Sequence, residues 1–101
     1  MQPPYYAVIF TSKRTQIDLD YQEIAQKMVE LAQQQEGYLG IESAREEIGI
    51  TVSYWASLEA INLWKRNLDH IQAQRNGIAN WYEHYTVRIA LVEREYSFQK
   101  V

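Results

Sequence analysis

Cysteine is absent from the 101-residue chain, which excludes disulfide bonds and thiolate chemistry. Histidine occurs only twice, and no HxxxH or HExxH spacing or carboxylate cluster sets three ligands on one centre, so we expect no metal site. The four glycines form no phosphate-binding loop, and no serine lies in a nucleophile motif. The sequence therefore favours neither metal-dependent, nor phosphate-binding, nor acyl-transfer enzymes.

Clusters of basic residues and long apolar runs are missing as well. Ten Lys and Arg residues are scattered among thirteen Asp and Glu residues, for a formal net charge of −3. Nucleic acid is not the expected partner, because binding phosphates requires a clustered basic surface. No apolar run approaches the roughly 20 residues that span a bilayer, and the N-terminal MQPPYYAVIF lacks the basic segment of a secretory signal. With the lack of cysteine, this predicts a cytoplasmic protein without membrane segments.

Aromatic and aliphatic residues are what the chain has in quantity. Hydrophobic residues make up 47% of it and aromatic residues 13%, which is globular composition, and the length fits one domain over residues 1–101. The stretch from Thr51 to Tyr85 contains all three tryptophans and both histidines. We expect most of the walls of any pocket to come from this stretch.

The first half of the chain predicts a strand, a helix and a second strand. Residues 5–12, YYAVIFTS, are apolar at both parities, as in a strand covered on both faces. Asp20 and Glu23 have capping-box spacing, and apolar residues at helical spacing follow as far as Gly37, the expected stop. Leu19 and Ile24 are placed as a hydrophobic staple, and residues 38–47 read as the second strand.

The second half predicts a hairpin, helical segments and a long last strand. Ile48-Gly49 supplies a turn, so residues 50–55 return antiparallel. Ser57 caps the next helix, and Asn67 and Asp69 indicate a break and restart near residue 67. Residues 81–96 alternate as the last strand.

The predicted fold is ferredoxin-like βαββαβ, an α+β class with a four-stranded antiparallel sheet and helices on one face. The open sheet face is expected to form a homodimer, because the strands are apolar on both sides.

A cleft between the sheet and the helices is the natural place for an aromatic ligand. Its predicted walls are Trp55, Trp64, Tyr54 and Trp81, and its candidate polar groups are His70, His84, Asn67, Glu42 and Arg88. Each residue also has a structural interpretation. Trp64 suits a plain core position, His70 a helix surface or cap, and His84 a strand start or a dimer contact.

The run from Ser53 to Phe98 resembles the antibiotic biosynthesis monooxygenase (ABM-like) family of dimeric α/β barrels. The matching pieces are Tyr54-Trp55, Ser57-Leu58-Glu59-Ala60, Trp64, Asp69-His70, Ala73-Gln74, Gly77 and Trp81-Tyr82, with residues 37–43, GYLGIES, upstream. The resemblance covers nearly the whole chain. It implies a ferredoxin-like dimer with a ligand cavity between sheet and helices in each protomer.

One activity in this family is the cofactor-independent oxidation of phenol- or quinol-like aromatic substrates. By this resemblance Trp64 contacts the ring, His70 or Tyr54 handles the proton, and Asn67 donates a hydrogen bond. Trp55, Trp81, His84 and Gln74 are expected to complete the substrate site. This interpretation implies no cofactor.

A second activity of related enzymes is haem degradation, with a first-strand Asn, a helix Trp and a later His that ligates iron. Trp64 matches the Trp, but the first strand has Ile9, Phe10 and Thr11 and no Asn. The ligand position falls at Gln74, with His70 one turn earlier. The sequence thus leaves three hypotheses, which are a cofactor-free oxygenase, a non-catalytic ligand-binding module on the same fold, and a haem protein.

Overall fold

The structure, a computed structural model, describes residues 1–18, 20–74 and 78–100, and for 71–74, 78 and 79 it describes the backbone alone. The elements are β1 (Tyr5–Arg14), α1 (Tyr21–Gln33), β2 (Tyr38–Arg45), β3 (Gly49–Trp55), α2 (Leu58–Gln74), a 3-10 turn (Ile78–Trp81) and β4 (Tyr82–Val92). The predicted βαββαβ order is confirmed.

The four strands form one antiparallel sheet in the order β2-β3-β1-β4. Residues directly opposite each other on neighbouring strands share a face, so the register assigns every strand residue to a side. Tyr6 lies opposite both Trp55 and Leu91, and these three residues face the helices. Ala7 lies opposite Tyr54 and Ala90, on the open face of the sheet. The helices therefore cover one face, as the sequence predicts.

A β-bulge changes the faces at the start of β4. The register between β1 and β4 shifts at Lys13/Arg14, so that Tyr82 pairs with Arg14 while His84 pairs with Lys13. Strict alternation along residues 81–96 predicts that Tyr82 and His84 share one face, and this prediction is wrong. Tyr82 lies on the helix side with Tyr85, and their ring centroids are 5.8 Å apart.

The helices are not centred over the sheet. Helix α1 packs against β2 and α2 against β3, while the N-terminal end of α1 also reaches Trp81 and Tyr82 at the start of β4. The main buried cluster comprises Ala32, Trp55, Ala60, Ile61 and Trp64, and a smaller one comprises Ile24 and Trp81. Gly37, which has a φ of 87°, permits close approach of α2, because a Cβ there would lie 2.6 Å from that of Ala60. From Tyr85 onward, the edge strand β4 is left with little helix above it.

The helix ends differ in part from the expectations. Ser57 caps α2, since its Oγ accepts a hydrogen bond of 3.1 Å from the Ala60 amide. Asp20, in contrast, makes no side-chain cap on α1 and has a left-handed φ of 59°, so the predicted capping box is wrong. The staple through Leu19 lies outside the described residues.

The expected break in α2 near residue 67 is also wrong, because the helix is continuous from Leu58 to Gln74. The two presumed caps are engaged elsewhere. Asn67 donates to Gln35 Oε1 of the neighbouring chain segment at 3.1 Å, and Asp69 accepts from Lys65 one turn earlier at 3.2 Å. The contact between Lys65 and Asp69 has the i,i+4 spacing that supports an uninterrupted helix.

In the part of the chain that the structure describes, no helix is long and apolar enough to cross a membrane.

Candidate functional site

Two of the tryptophans predicted to line a cleft are core residues. Trp55 is fully buried and Trp64 is only 8% exposed, and their rings stack with centroids 6.1 Å apart. The indole N–H of Trp55 donates to Ser53 Oγ at 2.8 Å, so this polar atom is already satisfied within the core. The two rings therefore form the wall between sheet and helices and offer almost no surface to a ligand.

Tyr54 lies on the opposite side of the sheet from Trp64. Its hydroxyl donates to Glu42 Oε1 at 3.0 Å, and its ring packs edge-on against Tyr5 with centroids 5.7 Å apart. Burial, and then the hydrogen bond to Glu42, raise the pKa of Tyr54. The prediction that Tyr54 and Trp64 line one cleft is wrong, because the sheet separates them.

The polar candidates on α2 lie away from the buried stripe of that helix. His70 is exposed, and so is Asn67, which bonds to Gln35 beside α1. The side chain of Gln74 lies outside the described residues. The structure thus brings neither His70 nor Asn67 onto the sheet surface where a ring would bind.

The other candidates are dispersed. Trp81 is buried, 2% exposed, and packs edge-on against Tyr21 with centroids 5.0 Å apart. His84 and Arg88 are exposed on β4, on the open face of the sheet. Glu42 shares the open face but lies on β2, which is separated from β4 by the two strands β3 and β1.

The apolar surface that the helices leave uncovered is on β4. Four residues on its helix side are about half exposed, which is unusual for large apolar side chains on a sheet face beneath helices. They are Tyr85 (52%), Val87 (49%), Ile89 (51%) and Leu91 (49%), and we call them the β4 shelf. Their alternation was visible in the sequence, but their exposure depends on where the helices sit. A contiguous exposed apolar surface of this kind marks a binding site.

A cavity of about 530 Å³ opens at the Leu91 end of the shelf. It is lined by Pro4, Tyr6, Ala56, Ser57, Leu58, Glu59 and Leu91. Tyr6, Leu58 and Leu91 supply apolar surface, and Glu59, in the first turn of α2, supplies a carboxylate. Glu59, Tyr6 and Leu91 are not among the site residues that the sequence predicts. The only available signal was the position of Glu59 beside the Ser57 cap, which by itself indicates a helix start.

The Tyr85 end of the shelf is aromatic. Tyr85 stacks on Phe10 with centroids 5.2 Å apart, and Tyr82 packs edge-on against Phe10 at 5.5 Å. Burial raises the pKa of Tyr82 to about 12, and Tyr21 adds to the rise, while Arg45 and Arg14 oppose it. Tyr82 is therefore a neutral hydrogen-bond donor at physiological pH, next to two guanidinium groups.

Neither metal nor haem fits the donors that the structure shows. In the described residues no group of three His, Cys, Asp or Glu side chains is close enough to hold a metal ion. His70, the residue that the haem hypothesis required to reach iron, is exposed on α2 and does not line the cavity. Because the helix does not break near residue 67, nothing redirects His70 toward the sheet.

Comparison with known proteins places the chain in a family. No protein-family model matches it. YqjZ, an uncharacterized protein of Bacillus subtilis strain 168, is 50% identical over 101 residues, which cover 98% of this chain and 89% of YqjZ. The chain belongs to the same family as YqjZ.

Solved structures confirm the ABM-like fold of this YqjZ relative. A Nitrosomonas europaea protein named as a candidate antibiotic biosynthesis monooxygenase superposes with a TM-score of 0.73 at 12% identity, over 91% of this chain and 93% of that one. SnoaB, a cofactor-independent oxygenase from Streptomyces nogalater, superposes with a TM-score of 0.67 at 10% identity, over 97% and 100%. At these identities the similarity establishes the fold, and the chemistry has to be argued from the site.

Proposed function

We propose that the protein is a cofactor-independent monooxygenase that binds a phenol- or quinol-like aromatic ring in the cavity between the start of α2 and β4. One observation carries the proposal, namely that the half-exposed β4 shelf runs into a cavity with apolar walls and a carboxylate, Glu59. Mostly apolar walls with few polar groups are typical of sites for planar organic ligands. SnoaB, which has this fold, is a cofactor-independent oxygenase.

The chemistry requires little of the protein. Anthrone, the keto tautomer of a phenol, has an acidic ring methylene. When this methylene becomes a carbonyl, one atom of O₂ enters the carbonyl and the other leaves as water with the two methylene hydrogens. The substrate supplies all four electrons, so no external reductant is needed. The tasks of the chain are to bind the ring, to accept one methylene proton and to hold the resulting carbanion. Glu59 is the proton acceptor that the cavity offers.

Oxygen uptake with anthrone as the probe tests this proposal. We expect turnover by the wild type, and a loss of at least tenfold in kcat for Glu59→Gln, since a positioned base contributes about 10²–10⁴-fold. The matched control is Glu30→Gln, which removes an exposed carboxylate from α1. If the rate of Glu59→Gln equals that of the wild type, Glu59 is not the base.

A non-catalytic ligand-binding module is the second candidate, and the positions of the histidines favour it. Neither His70 nor His84 lies on the β4 shelf, so the site has no imidazole to serve as a base. The two candidates differ in one measurement, because a binding module holds the ring without consuming oxygen.

We further propose that the protein is a homodimer through the open face of the sheet. This face has an apolar centre that includes Ala7, Ile9 and Val52. Its charges are separated, with Glu42 on the β2 side and Arg88 on the β4 side, while Lys13 on β1 pairs with Glu83 at 3.5 Å. Two copies related by a two-fold axis can therefore place acidic and basic edges against each other.

A further inference from the structure

Arg45 crosses the helix side of the sheet in an unusual way. It lies on β2, opposite Gly49 on β3, and its guanidinium passes over Gly49 and donates a hydrogen bond to Ser12 Oγ on β1. A Cβ at position 49 would overlap the guanidinium, so the glycine is what permits this path. Ser12 is fully buried. The arginine is therefore aimed along the sheet toward β4 rather than outward.

The guanidinium of Arg45 retains hydrogen-bonding capacity. No ion pair of Arg45 with a carboxylate is found in the described part of the chain, although a guanidinium has five N–H donors. Arg14, in contrast, has a carboxylate partner and several further contacts. It bonds to Asp18 at 2.7 Å, to two backbone carbonyls at 3.0 and 3.2 Å, and lies 3.4 Å over the ring centroid of Tyr21.

Arg45 and Arg14 line a second cavity of about 580 Å³, together with Tyr21, Gln22, Asp18, Asp20 and Glu23. Two of the three carboxylates already have cations, because Asp18 pairs with Arg14 and Glu23 pairs with Lys27 at 3.4 Å. The third carboxylate, Asp20, forms no ion pair among the described residues, and Arg45 is the cation of this cavity that forms none there either.

The β4 shelf connects this charge to the cavity at α2. Ser12, which Arg45 contacts, is the cross-strand partner of Tyr85, the first residue of the shelf. From Tyr85 to Leu91 the strand advances six residues, about 20 Å at roughly 3.3 Å per residue. One continuous apolar surface thus has a ring-sized cavity with a carboxylate at one end and an arginine at the other.

We propose that the ligand of this site is elongated, with an aromatic ring in the cavity beside Leu91, an apolar extension along the β4 shelf, and an anionic group bound by Arg45. This inference rests on the proposed function for the ring and adds the class of the rest of the molecule. A carboxylate matches the planar fork of a guanidinium, which binds it through two parallel hydrogen bonds.

Fluorescence titration with 11-(dansylamino)undecanoic acid tests the inference, because this probe has an aromatic ring and a carboxylate separated by a long apolar chain. Its methyl ester is the neutral control, and dansylglycine, which has the ring and the charge without the chain, is the short control. We expect the acid to bind about tenfold more tightly than the ester, the effect of one charge-assisted hydrogen bond. We expect it also to bind more tightly than dansylglycine, which has no apolar chain to bury on the β4 shelf.

Two variants address Arg45 separately. Arg45→Gln should weaken binding of the acid about tenfold and leave the ester unchanged. Gly49→Ala keeps the positive charge of Arg45 but displaces its guanidinium, so it should weaken binding of the acid to the same extent. This second variant tests the role of Arg45 even if Arg45→Gln fails to fold. Arg66→Gln, which removes an exposed cation of α2, is the matched control and should bind the acid as the wild type does.

The outcomes separate this inference from the proposed function. If the ester binds and Leu91→Asn abolishes its binding, while Arg45→Gln and Gly49→Ala bind the acid normally, the cavity is a ring site and the role of Arg45 is wrong. If neither the ester nor the acid binds to the wild type, the ring site itself is wrong, and the inference falls with it.

Discussion

The indole rings of Trp55 and Trp64 stack at an interplanar angle of 24°, with their centroids 6.1 Å apart, and join the sheet to α2. The pair lies in the main buried cluster with Ala32, Ala60 and Ile61. This relationship makes Trp64 a residue of the core, although the family resemblance assigned it to the substrate ring. Its replacement should therefore affect folding before it affects chemistry.

We expect Trp64→Ala to lower the free energy of unfolding by about 3–5 kcal/mol, the usual cost of truncating a large buried aromatic residue. Trp64→Phe keeps most of the ring and should cost clearly less. Urea denaturation followed by circular dichroism measures both. A Trp64→Ala protein within about 1 kcal/mol of the wild type would show that the indole is not a core element.

The fold was predictable because its signals are local. Alternation defined the strands, the Ser57 cap marked the start of α2, and Gly37 marked the segment after α1. The site was less predictable, because burial depends on how the helices are placed laterally over the sheet. Trp55 and Trp64 are aromatic in any arrangement, and only the position of α2 over β3 makes them core and leaves Leu91 exposed.

Two further misassignments have other causes, which a local sequence pattern does not show either. The shift at Lys13/Arg14 moves Tyr82 to the helix side, and a strict period of two cannot show a bulge. The preference of Asn for helix starts predicts a cap at Asn67, whereas its side chain bonds to Gln35, which is 32 positions away in the sequence. Contacts of that separation are not encoded in a local pattern.

His70 provides a test of the haem hypothesis. Because His70 is exposed on α2 and does not line the cavity, we expect His70→Ala to give the same hemin titration as the wild type when absorbance is recorded. We also expect it to leave oxygen uptake with anthrone within about twofold, well below the 10²–10⁴-fold effect of removing a catalytic base. A saturable Soret shift that disappears in His70→Ala would revive haem binding.

Tyr82 should make stability fall at high pH. Burial raises its pKa in the folded protein to about 12, above the ordinary value of 10.0. The unfolded chain therefore loses this proton first, so the contribution of Tyr82 to stability is complete below pH 10 and is lost as the pH rises toward 12. Tyr5 and Tyr54, whose pKa values burial also raises, act in the same direction.

Urea denaturation at pH 9 and pH 11 measures this effect. Tyr82→Phe should lose less stability between the two pH values than the wild type does. Tyr96→Phe, at a position that is 88% exposed, is the matched control and should follow the wild type. If Tyr82→Phe lost as much stability between pH 9 and pH 11 as the wild type does, Tyr82 would ionise equally easily in the folded and the unfolded protein.

The proposed homodimer predicts both a particle mass and the sheet face through which the two copies associate. Light scattering at micromolar concentration should give twice the chain mass of 12.0 kDa. Ile9→Lys puts a charge in the centre of the open face and should give the monomer mass, whereas Val87→Lys, on the helix side of β4, should leave the dimer intact. A wild-type protein of monomer mass would contradict the proposal.

The most direct measurement is oxygen uptake with anthrone by the wild type, Leu91→Asn and Thr86→Asn. Both variants place the same amide on β4, but Leu91 lines the cavity and Thr86 lies on the open face. If the cavity is the site of oxygenation, the wild type and Thr86→Asn consume oxygen at similar rates, and Leu91→Asn loses at least tenfold in kcat/KM, about 1.4 kcal/mol. Equal rates for the two variants, or no uptake by a wild type that is folded, would contradict it.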